Sequence, residues 1–266
     1  MLKFLVPVRH QAGVNDWSEI ARNLKTTLAS IAGQAHPDWR CVVVANEGAD
    51  LPTMPPGCEV LRINTPYKPL PPRTPEREAY EAAIRADKGM RLWAGLNHME
   101  PGGFVMVADY DDFVHRDLAR LVAENPDNPS GWYVEEGYLF TEGSSVMRRR
   151  SEFHMVCGTS NIVRDELLRQ APAGESLDFH IQRRLGSHVS IVADATKWGI
   201  EMQPVPFPAA IYRAGYGQQV SGYRGVWKSI LANLNPLHPR KMFRTIASVT
   251  PITSTIRRNF WGTAAH

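Results

Sequence analysis

Cysteine is scarce in this chain. Three occur in 266 residues, Cys41, Cys58 and Cys157, odd in number, without a C-x-x-C spacing and set in or beside apolar segments. That excludes a disulfide framework or a thiolate zinc site and fits reduced core thiols in the cytoplasm. Long apolar runs are also missing, and nothing approaches the ~18 residues of a membrane span. The N-terminus enters LKFLV directly, without the basic segment, apolar core and small-residue cleavage site of a signal peptide. After the first apolar run the chain reads PVRHQAG (residues 7–13), not Gly-x-Gly-x-x-Gly. A dinucleotide-binding dehydrogenase and a P-loop enzyme are thereby disfavoured, because both need glycines where the backbone meets phosphate. Acidic residues vanish from position 224 onward, where seven basic side chains stand alone: Arg224, Lys228, Arg240, Lys241, Arg244, Arg257 and Arg258.

What is present begins as strand, helix, strand. Residues 2–8 form a short apolar strand. Asp16 then N-caps a helix with Glu19 as capping-box partner, carrying Trp17, Ile20, Ala21, Leu24, Leu28 and Ile31 at helical spacing and ending near Gly33. Residues 41–45 and 59–63 read as further strands, so a parallel sheet with helices on its faces is predicted. Five prolines between 64 and 75 forbid regular structure, and a long helix follows over 75–99 with Arg85 and Lys88 on it. Beyond it, 118–123 reads as a helix. Residues 132–140 and 153–156 read as two strands of an antiparallel hairpin around a turn ending in Arg148-Arg149-Arg150. The small residues of CGTSN (157–161) precede IVR and can approach a sugar closely or form a plain strand turn, a helix runs from 175 through Leu185, 188–193 reads as a further strand, and Pro204, Pro206 and Pro208 make an extended segment before Ile211.

The densest chemistry lies in GFVMVADYDDFVH (residues 103–115). Phe104, Val105, Met106, Val107 and Ala108 make a run short enough for one strand covered on both faces. Asp109, Asp111 and Asp112 follow within four positions. Crowded carboxylates raise the folded chain's electrostatic energy unless a cation sits among them, and the carboxyl end of a central strand is where open α/β sheets bind ligands. The plain alternative is a solvated acidic turn before the helix near Asp117.

The opening FLVPVRH, the order of elements, VMVADYDDF at mid-chain and MVCGTSNIVR followed by ESLDF resemble glycosyltransferases of the GT-A fold, especially the family-2-like bacterial group, over roughly residues 3–215. The resemblance implies an α/β fold of GT-A type: a mainly parallel open sheet with helices on both faces, a small antiparallel hairpin and a C-terminal helical extension. It implies a nucleotide-sugar half (1–115), an acceptor half (116–220) and a basic amphipathic extension (221–266). Pro7, Val8 and Arg9 would hold base and ribose, and Asp109 ribose and donor sugar; independently of the resemblance, Lys88 or Arg85, aimed from its helix at the acidic strand, could hold a diphosphate. Asp109, Asp111 and Asp112 would hold Mn2+ or Mg2+. Glu175 and Asp178 would be the candidate catalytic base, although they are not contiguous as that family's Glu-Asp pair commonly is. The late metal-ligating His of many members is missing from YRAGYGQ (212–218), leaving His188 and His180 as candidates or water in their place.

The implied reaction moves a sugar, from a UDP-sugar by preference, to an acceptor hydroxyl in surface-glycan or polysaccharide synthesis. A catalytically inactive nucleotide- or glycan-binding module of the same fold stays open, and a sugar nucleotidyltransferase less so, since it would favour a glycine-rich basic loop after the first strand. In the tail, Trp227, Ile230, Leu231 and Leu234 repeat at helical spacing. Pro236 and Pro239 separate them from KMFR (241–244), and Ile252, Ile256, Phe260 and Trp261 follow. Such a segment can lie on an anionic membrane and meet a lipid-linked acceptor; it can equally pack on the domain or on a second copy. The location implied is the cytoplasm, with peripheral contact at the inner membrane face. No nucleic-acid reading motif is present.

Overall fold

Strand β1 (Leu2–Pro7) is an interior strand of the main sheet, apolar on both faces apart from Lys3. Leu2, Phe4, Val6 and Val8 fall in one buried cluster and Leu5 in another. A computed structural model describes residues 1–213, 225–231 and 238–262 of the chain. After β1 come α1 (Trp17–Ala32), β2 (Trp39–Asn46), β3 (Cys58–Ile63), α2 (Arg77–His98) and β4 (Phe104–Val107). The middle of the chain forms β5 (Phe113–Val114), α3 (Leu118–Glu124), β6 (Gly131–Tyr133), β7 (Glu136–Phe140), β8 (Val146–Ser151), β9 (Asn161–Arg164) and α4 (Asp165–Arg169). The last part forms α5 (Leu177–His180), α6 (Ile191–Lys197), β10 (Gln203–Pro204), β11 (Ala210–Arg213), α7 (Val226–Leu231), α8 (Pro239–Ala247), β12 (Val249–Pro251) and α9 (Ser254–Phe260).

The main sheet has the order β10-β6-β9-β4-β1-β2-β3. Its pairings are parallel except the two made by β9 with β4 and β6. Helices α1 and α3 cover one face through Ile20, Leu24, Leu28, Leu118 and Val122. Helix α2 and the elements around α4 to α6 cover the other through Leu92, Leu96, Leu168, Leu185 and Ala195. This is the mainly parallel α/β architecture with helices on both faces that the sequence predicts. The cap of α1 also forms as read: the Asp16 carboxylate accepts from the Glu19 N–H at 3.2 Å.

A second sheet, β12-β8-β7-β11-β5, packs around Phe113, Tyr138, Phe140, Met147, Ile211 and Phe260. Three local readings change here. The 132–140 run is two strands, β6 in the main sheet and β7 in the second. The hairpin partner of β7 is β8, which contains the arginine run, whereas Phe153–Met155 is a 3-10 turn. Phe153 is fully buried there, and a Cβ on Gly137 would lie 2.5 Å from its ring, so this aromatic plugs the core instead of pairing along an edge. Strand β8 tolerates its charges because Arg149 and Arg150 are exposed. The 188–193 strand is instead the approach to helix α6, where Ala193 and Ala195 favour helix and Val189 is exposed. Among the described residues no helix is long and apolar enough to cross a membrane.

Candidate active site

The acidic loop, residues 108–112, joins the two sheets: β4 ends at Val107 in the first and β5 begins at Phe113 in the second. Its backbone is tied to α1, since the Thr27 hydroxyl donates to the Tyr110 carbonyl at 2.8 Å. A turn closes it, with the Asp112 N–H donating to the Asp109 carbonyl at 3.1 Å. The carboxylates therefore sit at the carboxyl end of a central strand, where the expected ligand site lies.

Helix α2 brings the opposing charge. Gly95 and Gly89 let it lie close: a Cβ at Gly95 would stand 2.7 Å from Leu5, and one at Gly89 would stand 2.5 Å from the Ile181 carbonyl. That approach sets Lys88 against the loop, with its ammonium donating to Asp109 Oδ1 at 2.5 Å. Burial alone would lower the lysine pKa, but Asp109 and then Asp112 outweigh it and hold the ammonium above its ordinary value. One turn on, buried Arg91 donates to Asn46 Oδ1 at 2.7 Å and pairs with Asp87. Arg85 points elsewhere and pairs with Glu81 at 3.7 Å.

The three aspartates have separate environments. Asp112 is buried and turned inward: Thr159 Oγ1 donates to it at 2.6 Å, Cys157 Sγ at 3.1 Å and the Arg213 N–H at 3.3 Å. Burial and its acidic neighbours push its pKa well up. It braces the loop, so the structure does not present it to a ligand as the sequence predicts. Asp111 is half-buried, and burial followed by repulsion from Asp109 raises its pKa to about 6. Asp109 has Lys88 on one oxygen and Gly158 against the other. A Cβ at Gly158 would stand 2.3 Å from Asp109 Oδ2 and 2.8 Å from Lys88 Nζ, so the 157–161 loop approaches as closely as its small residues allow.

The donor set for a cation is two half-buried carboxylates, Asp109 and Asp111. Hard oxygen donors of this kind could hold Mg2+ or Mn2+, and other oxygens would have to complete the shell. Among the described residues no group of three or more His, Cys, Asp or Glu converges as a metal cage. His180 is not placed for such a role: its Nε2 bonds the Leu168 carbonyl at 2.8 Å and its Nδ1 lies 3.3 Å from Arg184. His188 lines a small cavity together with Lys88, Gly158, Asn161 and Arg184. Burial, then the nearby lysine, lowers its pKa to about 4, and its Nε2 finds no hydrogen-bond partner. Residues 214–218 of the late stretch lie outside the described residues.

The loop after β1 lies beside this cluster. Pro7 and Val8 are buried, and the Val8 N–H donates to Val44. Their side chains therefore shape the floor, and of the three predicted residues only Arg9 is partly exposed, with its charge near Tyr110. The proline-rich segment folds over this end: Asn46 Nδ2 donates to the Thr65 carbonyl at 2.7 Å, and the Tyr67 ring meets His10 at 5.3 Å. Tyr67, Asn46, Arg91 and Arg213 escaped the sequence reading as site residues, for none carries a local signal. Glu175 and Asp178 part company. Glu175 forms a bidentate ion pair with buried Arg184, which lowers its pKa, while Asp178 is exposed beside exposed Phe179.

No protein-family model matches this chain, and no curated protein matches it. Among solved structures the chain is similar to S. aureus TarS 1-349, at 13% identity and a TM-score of 0.44, over 92% of this chain and 70% of that one.

Proposed function

We propose that this protein is a GT-A-type glycosyltransferase moving a sugar from a nucleoside-diphosphate sugar, a UDP-sugar by preference, to an acceptor hydroxyl. The observation that carries the reading is the Lys88–Asp109 pair beside Asp111 at the carboxyl end of β4. One fixed cation and two carboxylates suit a ligand that is itself a polyanion with hydroxyls. Arg9 and Tyr67 would flank base and ribose, and Asp109 would accept from ribose or sugar hydroxyls. Asp109 and Asp111 would hold Mg2+ or Mn2+, which supplies Lewis-acid stabilisation of the leaving diphosphate when bound. The Lys88 ammonium would offset charge that grows on the same diphosphate. Asp112 acts through the loop that it braces.

On the acceptor side Asp178 is the carboxylate available to take the hydroxyl proton, as an inverting transfer requires. Glu175, held by Arg184, orients that wall; a guanidinium pair makes a carboxylate a poorer base. The acceptor class in this proposal is a glycan or a lipid-linked glycan. The experiment is calorimetric titration with UDP, GDP, CMP and dTDP, with and without Mn2+, on the native protein and on Asp111→Ala. Metal-dependent binding of one nucleotide, lost in the variant, supports the donor site and selects the donor for an activity screen. No binding by well-folded protein with metal present overturns it. Binding without turnover on any acceptor would favour an inactive module of this fold.

A further inference from the structure

The basic tail and the arginine run of β8, far apart in sequence, are built into one neighbourhood. Strand β12 pairs antiparallel with β8 and sets Val249 opposite Arg148. The Arg149 N–H donates to the Ser248 carbonyl at 2.7 Å and Arg148 Nε to Ser248 Oγ at 3.1 Å, and Ser248 is the residue that caps α8. Arg240 and Arg244 lie one turn apart on α8, and both are exposed, as is Arg150 on β8. Arg149 is partly neutralised by Glu136. From residue 224 to the end the sequence has no Asp or Glu.

The same helices expose large apolar side chains that a free surface ordinarily avoids. On α8, Thr245 is buried, whereas Phe243 is 72% and Ile246 55% exposed. On α7, Val226 and Ile230 enter the core while Trp227 is 53% and Leu231 64% exposed. Arg224, Leu234 and Pro236, also read as part of this segment, lie outside the described residues. A nucleic acid would reward the arginines but not exposed Phe and Ile. An anionic bilayer rewards both, because guanidinium groups meet headgroup phosphates while apolar side chains enter the acyl boundary.

We propose that the face formed by α8 and the β8–β12 ribbon docks on an anionic lipid bilayer, with Phe243 and Ile246 at the acyl boundary and Arg240 and Arg244 at the headgroups. The face is joined to the acidic loop. Glu142, in the connection between β7 and β8, pairs with Arg213 at 3.2 Å, and the Arg213 N–H reaches Asp112. A membrane-borne acceptor would then arrive beside the donor site, a consequence that rests on the transferase reading, whereas bilayer binding itself does not.

The experiment is co-sedimentation of the intact protein with vesicles of phosphatidylcholine alone or with about one-third phosphatidylglycerol. Binding is expected only with the anionic lipid. It should weaken at least tenfold in Arg240→Glu/Arg244→Glu, weaken similarly in Phe243→Ser/Ile246→Ser, and fall as salt is raised. These side chains are exposed, so the variants keep the fold, checked by circular dichroism, and keep nucleotide binding. No anionic-lipid binding by folded protein overturns the proposal. So does equal binding to duplex DNA that Phe243→Ser/Ile246→Ser leaves intact, or a dimer that this variant dissociates in sedimentation equilibrium. Failure of the donor titration alone would remove the acceptor consequence and leave the bilayer result standing.

Discussion

The Lys88 ammonium lies 2.5 Å from Asp109 Oδ1, and this one contact ties helix α2 to the carboxyl end of the central strand β4. Both groups are less than one-third exposed, so the pair is only partly screened. Replacing Lys88 with Met leaves two aspartates facing each other without their nearest cation. The expected result is a loss of about 1–3 kcal/mol in urea unfolding, smaller than for a fully buried pair, together with at least tenfold weaker nucleotide binding by calorimetry.

Gly158 makes a sharper test of the site because no charge is changed. In Gly158→Ala the new Cβ would meet Asp109 Oδ2 at 2.3 Å and Lys88 Nζ at 2.8 Å, so the ion pair must shift. Both clashing atoms end flexible side chains, and the protein should remain folded with a melting temperature within a few degrees of native. Nucleotide affinity should fall at least tenfold. Unchanged affinity would show that the pair is not where the ligand binds.

Asp111 and Asp112 are adjacent and should respond in opposite ways. Asp112→Ala strands the Thr159 hydroxyl, the Cys157 thiol and the Arg213 N–H in the interior and is expected to cost about 2–4 kcal/mol. Asp111→Asn removes a carboxylate whose charged form is disfavoured by burial and by Asp109, so stability should hold or rise by up to about 1 kcal/mol. Metal-dependent nucleotide binding should nevertheless disappear in Asp111→Asn. Paired denaturation and binding curves on the two variants check this.

His115 sets an acid limit to stability. Its ring is buried between Phe207 and Phe260, and burial lowers its pKa from 6.5 to about 4. Between those values the unfolded chain binds a proton that the folded chain does not. The contribution is therefore fully present above pH 6.5 and is lost as pH falls toward 4, by on the order of 3 kcal/mol in all. The change in urea midpoint between neutrality and pH 4.5 includes this contribution and that of His188, which acts in the same direction, and His115→Gln should remove the His115 share alone.

Much of this protein was legible from local pattern. The run Phe104–Val107 reads as a strand because it is apolar throughout and short, and its burial between two helical layers follows. Asp16 reads as a cap because a side-chain oxygen before an amphipathic run has one good use. Asp109 and Asp111 stand out because charge that dense at a strand end needs a partner. The arginine run misled for a related reason. Exposed charges resemble a turn unless a strand stands ready to pair, and β12 comes about a hundred residues later.

Sequence by itself determined the two-faced apolar strands, the helices that cover them and the acidic loop at the end of β4, because each follows from the spacing of neighbours along the chain. Tertiary structure alone decided which aspartate faces inward, that Lys88 rather than Arg85 meets the loop, and that Glu175 is taken by Arg184 while Asp178 is exposed. It also decided that the tail turns Val226, Ile230 and Phe260 into the core and Phe243 outward. Those outcomes depend on the meeting of residues distant in sequence, such as Thr159 with Asp112 and Lys88 with Asp109, and spacing along the chain carries no measure of which such pairs will touch.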